Sequence, residues 1–124
     1  MAGTLVIDTL NASSGVLSTN NGITGIAKAW ATFDGTSASP ITPSSSFNVS
    51  SITYSSGGLY QVNFSTAMPN ANYVVAGSGN NSSGNVFLMM NTSFTPTTSA
   101  FQFYTATSAS FTTSTRVSVV VFSS

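Results

Sequence analysis

The feature that most constrains the fold is the alternation of apolar and polar residues along several short runs. Residues 60–65 are the clearest case, and residues 101–106 and 117–122 follow the same period of two. Successive side chains of a strand point to opposite faces, so this pattern is typical of strands with one buried face. We find no segment of useful length with the 3.6-residue period of an amphipathic helix. The sequence therefore predicts an all-β protein.

Turn signals between these runs set their connections. Gly57 and Gly58 supply positive φ between two apolar runs, which predicts a β-hairpin over residues 46–65. Within that hairpin the alternation shifts, so the strand at 46–54 is expected to change its buried face partway. Pro69 closes the hairpin, because proline cannot donate to a ladder. Further strands are predicted at 26–33, 72–78, 85–91, 100–106 and 115–122, with loops at 77–84 and 95–99. Closely spaced strands of this kind predict an antiparallel β-sandwich or jelly-roll-like barrel.

The first 25 residues differ from the rest and predict an extended N-terminal arm (1–25) ahead of a β-sandwich body (26–124). The arm carries a short apolar run, Leu5, Val6, Ile7 and Leu10. This run is expected either to form an edge strand of the sheet of the body in the same chain or to pair with a neighbouring subunit by strand addition. Trp30 is predicted to pack in the core or at a subunit interface, and a platform for sugar is the alternative.

Charge is nearly absent from the whole chain. It has two basic and two acidic residues, no His and no Cys, so 3% of its residues are charged, against about 25% in a typical soluble domain. Catalytic triads and zinc sites lack their base, nucleophile or ligands. The Asp34-Gly35-Thr36 sequence is typical of a turn. The sequence therefore predicts a protein that is not an enzyme, with no catalytic residues, no metal site and no cofactor.

The same composition limits the partners. Two basic residues, Lys28 and Arg116, cannot form the patch that nucleic acid binding requires. No apolar run approaches a membrane span, so no membrane contact is expected. The start of the chain lacks the basic region and apolar core of a secretion signal, which predicts synthesis in a cytoplasm without export by that route. Because no side chain of the sequence is expected to titrate near neutrality, the melting temperature is predicted to be nearly constant from about pH 5 to 9.

Four motifs carry a resemblance to a known group of proteins. Residues 29–36, 46–52, 60–64 and 67–73, in this order, resemble a recurrent module of tailed bacteriophages, the C-terminal module of tail fibres and other virion structural proteins. Residues 5–13 are similar to the start of many such proteins. The resemblance implies a homotrimer. Fibre versions commonly follow a long shaft, whereas a 25-residue arm reaches only about 3.3–3.6 Å per residue, which favours a capsid cement or decoration protein.

The sequence thus predicts a structural protein of the virion surface, on the capsid exterior. Its expected partners are the major capsid protein and sister copies of itself, contacted through Leu5, Val6, Ile7, Leu10 and Trp30. The alternative is a receptor-binding, tail-fibre or tail-tip protein whose loops at 77–84 and 95–99 contact host glycan. Quantifying the copies of the protein per virion separates the two hypotheses.

Overall fold

The chain is all-β and antiparallel in the computed structural model, which describes residues 26–81 and 84–123. Those residues contain no helix, and therefore none long and apolar enough to cross a membrane. The strands are β1 (Ala29–Phe33), β2 (Ser45–Phe47), β3 (Val49–Tyr54), β4 (Leu59–Phe64), β5 (Val74–Asn81), β6 (Gly84–Met90), β7 (Ala100–Ala106) and β8 (Arg116–Phe122). They form one sheet in the order β2-β1-β8-β5-β6-β7-β4-β3. The predicted fold class is confirmed as a barrel-like antiparallel sheet.

The sheet nearly closes because its two end strands follow one another in the chain. β2 pairs with β1 and β3 pairs with β4, and Asn48 is the single residue between them. Asn48 has a φ of 54°, a conformation that Asn tolerates better than most residues. Its Nδ2 donates to the carbonyl oxygens of Lys28 and Thr66 at 3.0 and 3.1 Å, and its Oδ1 accepts from the Thr66 N–H at 2.7 Å. The predicted change of buried face is confirmed just after this corner, where the register of β3 against β4 shifts between Val49 and Ser51, so that both Val49 and Ile52 pack on the core.

Inward-facing residues of every alternating strand fill the space between the two sides of the sheet. The rings of Tyr60 and Phe103 lie 5.5 Å apart, and Phe33 meets Tyr60 edge-on at 5.4 Å. Burying each such ring stabilises the fold by about 1.5–3 kcal/mol. The Tyr60 hydroxyl donates to the Gly35 carbonyl at 2.9 Å, so its polar atom is satisfied within the core. The inward positions predicted in 60–65, 101–106 and 117–122 are confirmed, with the exception that Ala106, predicted to face outward, is also buried.

Two of the predicted turns are confirmed. Gly57 and Gly58 adopt positive φ between β3 and β4, and the Ser55 N–H and Leu59 carbonyl close the hairpin at 3.0 Å. After β1, the Asp34 carboxylate accepts from the backbone N–H of Thr36 at 2.9 Å and from its hydroxyl at 2.6 Å. Both turns use the residue types that the sequence indicated, because their geometry is local.

The loop predicted at 77–84 is wrong. Residues 77–81 belong to β5, which pairs with β8 along its whole length, and residue 84 begins β6. The glycines that suggested a loop lie instead where neighbours approach the strand closely. A Cβ on Gly77 would lie 2.5 Å from the Ser118 carbonyl oxygen and 2.6 Å from a Leu88 methyl. Glycine in this strand therefore makes room for packing.

The adjacent methionines are only partly as predicted. Met89 lies opposite Tyr104 on the outer face and Met90 lies opposite the inward-facing Phe103, so they point to opposite faces. Neither is buried, because Met90 lies at the end of β6, where the sheet gives it little cover. The predicted arm, residues 1–25, lies outside the described residues.

Candidate functional site

Trp30 lies on the outer face of β1, between the inward-facing Ala29 and Ala31. Its side chain is 37% exposed, so the predicted core position is wrong. The reason is the strand's period of two, which places both small neighbours inward and the indole outward. A position at a subunit interface stays a prediction.

Trp30 is part of a row of apolar side chains that crosses four neighbouring strands. It pairs with Phe47 of β2 and Val120 of β8, and Val120 pairs with Ala76 of β5. Residues directly opposite in an antiparallel pair share a face, so these side chains lie side by side. The pair of Val74 and Phe122 adds a second row at the strand ends. We call this surface the Trp30 face: Phe47, Trp30, Val120, Ala76, Val74 and Phe122.

Much of the Trp30 face is open to solvent. Phe47 is 55% exposed and Val74 is 64% exposed. Single exposed apolar residues are ordinary, whereas a contiguous group on one surface is typical of an interaction site. The neighbouring row on the same outer surface, two residues along β1, contains hydroxyls, with Thr32 Oγ1 and Ser118 Oγ 3.3 Å apart. An apolar centre beside a polar margin is the usual arrangement of a protein–protein interface.

A cleft of about 570 Å³ adjoins this face at the end of the barrel where the described chain begins. Ile26, Lys28 and Phe47 line one side, and residues 65–69 line the other. Phe47 belongs to both the cleft and the Trp30 face, so the two surfaces are continuous.

The opposite outer surface carries a chain of hydrogen-bonded amides. Asn91 Nδ2 donates to Gln102 Oε1 at 2.7 Å, and Gln102 Nε2 donates to Gln61 Oε1 at 2.9 Å. Gln61 Nε2 donates to Asn63 Oδ1 at 2.8 Å, and Asn63 Nδ2 donates to Ser51 Oγ at 2.9 Å. These five residues, the amide ladder, lie half-buried across the outer surface of β3, β4 and β7 and at the end of β6.

An aromatic pair borders the amide ladder. Tyr104 follows Gln102 by two residues on β7 and therefore lies on the same outer face. Phe111 stacks on Tyr104 with ring centroids 4.3 Å apart, and its side chain is 53% exposed. The ladder and the aromatic pair together form a surface with fixed polar groups beside a flat apolar one.

The three charged residues of the described chain all lie on the side of the Trp30 face. Lys28 and Asp34 flank β1, and Arg116 begins β8. The Thr36 hydroxyl and backbone N–H, which both donate to the Asp34 carboxylate, lower its pKa. The strands that carry the amide ladder, β3, β4, β6 and β7, have no charged side chain.

Two tyrosines hold their protons more tightly than usual. Burial raises the pKa of Tyr73 to about 12, and its hydroxyl oxygen lies 2.9 Å from the carbonyl oxygens of both Thr97 and Ala100. Burial also raises the pKa of Tyr60. Both are structural hydroxyls bonded to carbonyls, an arrangement that favours the neutral form.

Clusters that could perform chemistry are not found in the part of the chain that the structure describes. No group of three or more His, Cys, Asp or Glu residues comes together there. The Ser114 hydroxyl is fully buried and has no hydrogen-bond partner in the structure, but no base lies in its sequence neighbourhood.

The predicted contact residues have different outcomes. Leu5, Val6, Ile7 and Leu10 lie outside the described residues, so their role stays a prediction. Residues 95–99 form a loop as predicted. The backbone N–H groups of Met68 and Phe64 donate to the carbonyl oxygens of Thr98 and Ser99, so the loop is bonded to the barrel. The amide ladder was missed, because its central pair, Gln61 and Gln102, is separated by 41 positions. The available signal was the choice of long amides, rather than Ser or Thr, at outward positions of alternating strands.

No protein-family model matches this sequence, and neither the curated proteins nor the solved structures yield a match.

Proposed function

We propose that this chain is a virion structural protein of a tailed bacteriophage, a cement or decoration protein of the capsid exterior that acts as a homotrimer. The observation that carries the proposal is the Trp30 face, a contiguous apolar surface that continues into the cleft at Phe47. The resemblance of residues 29–36, 46–52, 60–64 and 67–73 to phage virion modules gives the surface its context.

The proposed mechanism is binding across subunit boundaries. The Trp30 face and the apolar arm residues Leu5, Val6, Ile7 and Leu10 hold each copy to the major capsid protein and to sister copies. Each Å² of apolar surface covered contributes about 25 cal/mol. Contacts that span neighbouring capsid subunits must break before the shell expands or ruptures, so they raise the barrier to both.

The low charge supports an exterior role. With two acidic and two basic residues, the contacts depend little on ionic strength, because salt screens charged pairs and leaves apolar burial largely intact. The absence of His, Cys and Glu from the sequence supports a binding role over a catalytic one.

Copy number in purified virions tests the proposal. Quantitative mass spectrometry against the major capsid protein should give a ratio near one or a fixed simple fraction of it. A handful of copies per particle would contradict the capsid role and place the protein in the tail, where a receptor-binding function becomes the leading hypothesis.

Truncation tests whether the arm contributes to capsid attachment. A variant that lacks residues 1–12 should fold with an unchanged circular dichroism spectrum and show weaker attachment to capsids. Substitution of Thr9 and Ser13 by Ala, within the same arm, serves as the matched control. Normal occupancy by the truncated variant would reject the contribution of the arm and leave the Trp30 face as the proposed contact.

A further inference from the structure

We propose that the amide ladder and the adjoining Tyr104–Phe111 pair form a binding site for a neutral glycan. This site lies on the surface away from the Trp30 face and does not depend on the proposed capsid role. Four features support this site: the hydrogen-bonding capacity of the ladder, its fixed geometry, the aromatic surface beside it and the absence of charged side chains from the described strands that carry it.

The ladder retains hydrogen-bonding capacity for a ligand. A primary amide has two donor hydrogens and an oxygen with two lone pairs. Gln61 and Gln102 each use one hydrogen and one lone pair within the ladder, at 2.7–2.9 Å. Each therefore keeps one donor and one acceptor, side by side, on a half-buried outward side chain. A pair of neighbouring hydroxyls on a sugar ring presents the complementary donor and acceptor.

The ladder is also held in place before any ligand arrives. Gln102 is fixed on both sides, by Asn91 and by Gln61, and Asn63 is anchored to Ser51 on the next strand. Free glutamine side chains lose substantial rotamer entropy on binding. Because these amides are already ordered, a ligand binds without that cost, which is the general advantage of a preorganised site.

The aromatic pair supplies the apolar half of the site. Sugar rings have a C–H face that packs on aromatic rings and a rim of hydroxyls. Tyr104 lies two residues from Gln102 on the same face of β7, which is about 6.8 Å along a strand. Phe111 is stacked on Tyr104 at 4.3 Å and is 53% exposed, so Tyr104 holds in place an aromatic ring that a sugar can meet. One ring of a bound oligosaccharide can therefore stack there while the next lies over the amides.

Charge distribution selects the class of glycan. Lys28, Asp34 and Arg116, the charged residues of the described chain, belong to the edges of β1 and β8, on the other surface. An anionic sugar over the ladder would lose water without gaining an ionic partner, which is unfavourable. A neutral sugar hydroxyl instead replaces its hydrogen bonds to water with hydrogen bonds to the ladder amides. The site thus fits neutral oligosaccharides over carboxylated or sulfated ones.

Binding of defined oligosaccharides to the full-length protein tests the proposal. The probes are maltohexaose, cellohexaose, mannohexaose and an N-acetylglucosamine hexamer, with an oligogalacturonate of equal length as the anionic comparison. We expect isothermal titration calorimetry to find at least one neutral probe that binds with a Kd on the order of 1 mM or tighter. The oligogalacturonate should bind at least tenfold more weakly.

Two variants locate the site. Gln61→Leu/Gln102→Leu removes the central amides, and Phe111→Ser removes an exposed ring without touching the core. Each should weaken binding at least tenfold, whereas the matched outer-surface controls Thr32→Val/Ser118→Ala and Phe47→Ser should leave it unchanged. Thermal melting verifies that each variant is folded, and Phe111→Ser decides the outcome if the ladder variant is not.

Several outcomes would overturn the proposal. These are the failure of every neutral probe to bind at about 10 mM, roughly tenfold above the expected Kd, a preference for the anionic probe, or unchanged binding by Phe111→Ser and the folded ladder variant. The copy number per virion does not affect this result, so the glycan site and the capsid role fail or succeed independently.

Discussion

The two outer surfaces of the barrel cover the same core, but one leaves apolar side chains exposed and the other joins polar side chains by hydrogen bonds. On the Trp30 face, Trp30, Phe47 and Val74 remain exposed without a partner from the described chain to cover them. On the opposite surface, Gln61 and Gln102 bond each other within the amide ladder. Folding requires only the inward half of each strand, so the outward half is free to serve function. One surface retains apolar area that another protein can bury, and the other presents ordered polar groups to a smaller ligand.

The corner that joins the two surfaces should show the largest single-residue effect. Asn48→Ala removes three side-chain hydrogen bonds and leaves at a φ of 54° a residue that, unlike Asn, has no polar side chain to offset this conformation. We expect a loss of about 3 kcal/mol in the free energy of unfolding, measured by urea denaturation.

Asn48→Gly is the matched variant for this corner. It loses the same hydrogen bonds without the backbone strain, so we expect a smaller loss, about 2 kcal/mol. Equal losses for the Ala and Gly variants would show that the positive φ carries no cost, and a loss below about 0.5 kcal/mol in both would show that the side chain does not hold the corner.

The difference in exposure predicts a difference in self-association. Trp30→Ser/Phe47→Ser should weaken association between copies at least tenfold, about 1.4 kcal/mol, as followed by sedimentation. Stability of the single chain should change little, because both side chains point outward. The control is Gln61→Leu/Gln102→Leu on the opposite surface, which should associate normally. Unchanged association of the Trp30-face variant would remove that face from the proposed trimer.

The comparison also shows what the sequence could predict. The inward residues of β4, β7 and β8 follow from the period of two, because burial selects side chains position by position. The turn at Gly57 and Gly58 follows from local backbone geometry. These features depend on neighbours in sequence, and they were predicted with nearly the right bounds.

Features that depend on distant neighbours were missed or misplaced. Gly77 and Gly79 suggested a loop, whereas they lie in a strand and make room for the side chains of Leu88 and Val86 on the neighbouring strand β6. Trp30 was predicted to pack in the core or at a subunit interface because its neighbours are small, and the core position is wrong because those neighbours are themselves the inward residues. The ladder required knowing that β4 and β7 are adjacent, which only the sheet order reveals.

Alkaline pH should destabilise the barrel through its tyrosines rather than through either outer surface. The usual pKa of a tyrosine is 10.0, and burial raises that of Tyr73 to about 12 in the folded state, with Tyr60 shifted in the same direction. The unfolded state therefore loses these protons first as pH rises. The stabilisation is fully present below pH 10 and is lost between about pH 10 and 12.

Thermal melting as a function of pH tests this assignment. The melting temperature should stay nearly constant from about pH 5 to 9, because no side chain of the sequence titrates in that range, and it should fall above pH 10. Tyr73→Phe should be less stable at neutral pH, because it loses its bonds to the Thr97 and Ala100 carbonyls, and should show a shallower alkaline decline. A steep slope between pH 5 and 9 would contradict the argument from composition.

The smallest effect on stability is expected from the amide ladder, and this expectation separates binding from folding. Replacing both partners of a hydrogen bond by apolar groups of similar shape is often nearly neutral, and Gln61 and Gln102 are half-buried neighbours whose bond spans 2.9 Å. Gln61→Leu/Gln102→Leu should therefore lose no more than about 1 kcal/mol in the free energy of unfolding, because only Asn91 and Asn63 lose a ladder partner and both are half-buried, within reach of water. The single variant Gln102→Leu leaves Asn91 and Gln61 without their partner and should lose a similar amount. Urea denaturation of both variants measures the two losses. If the double variant proves as unstable as the corner variant Asn48→Ala, the ladder holds the barrel together, and its order would need no ligand to account for it.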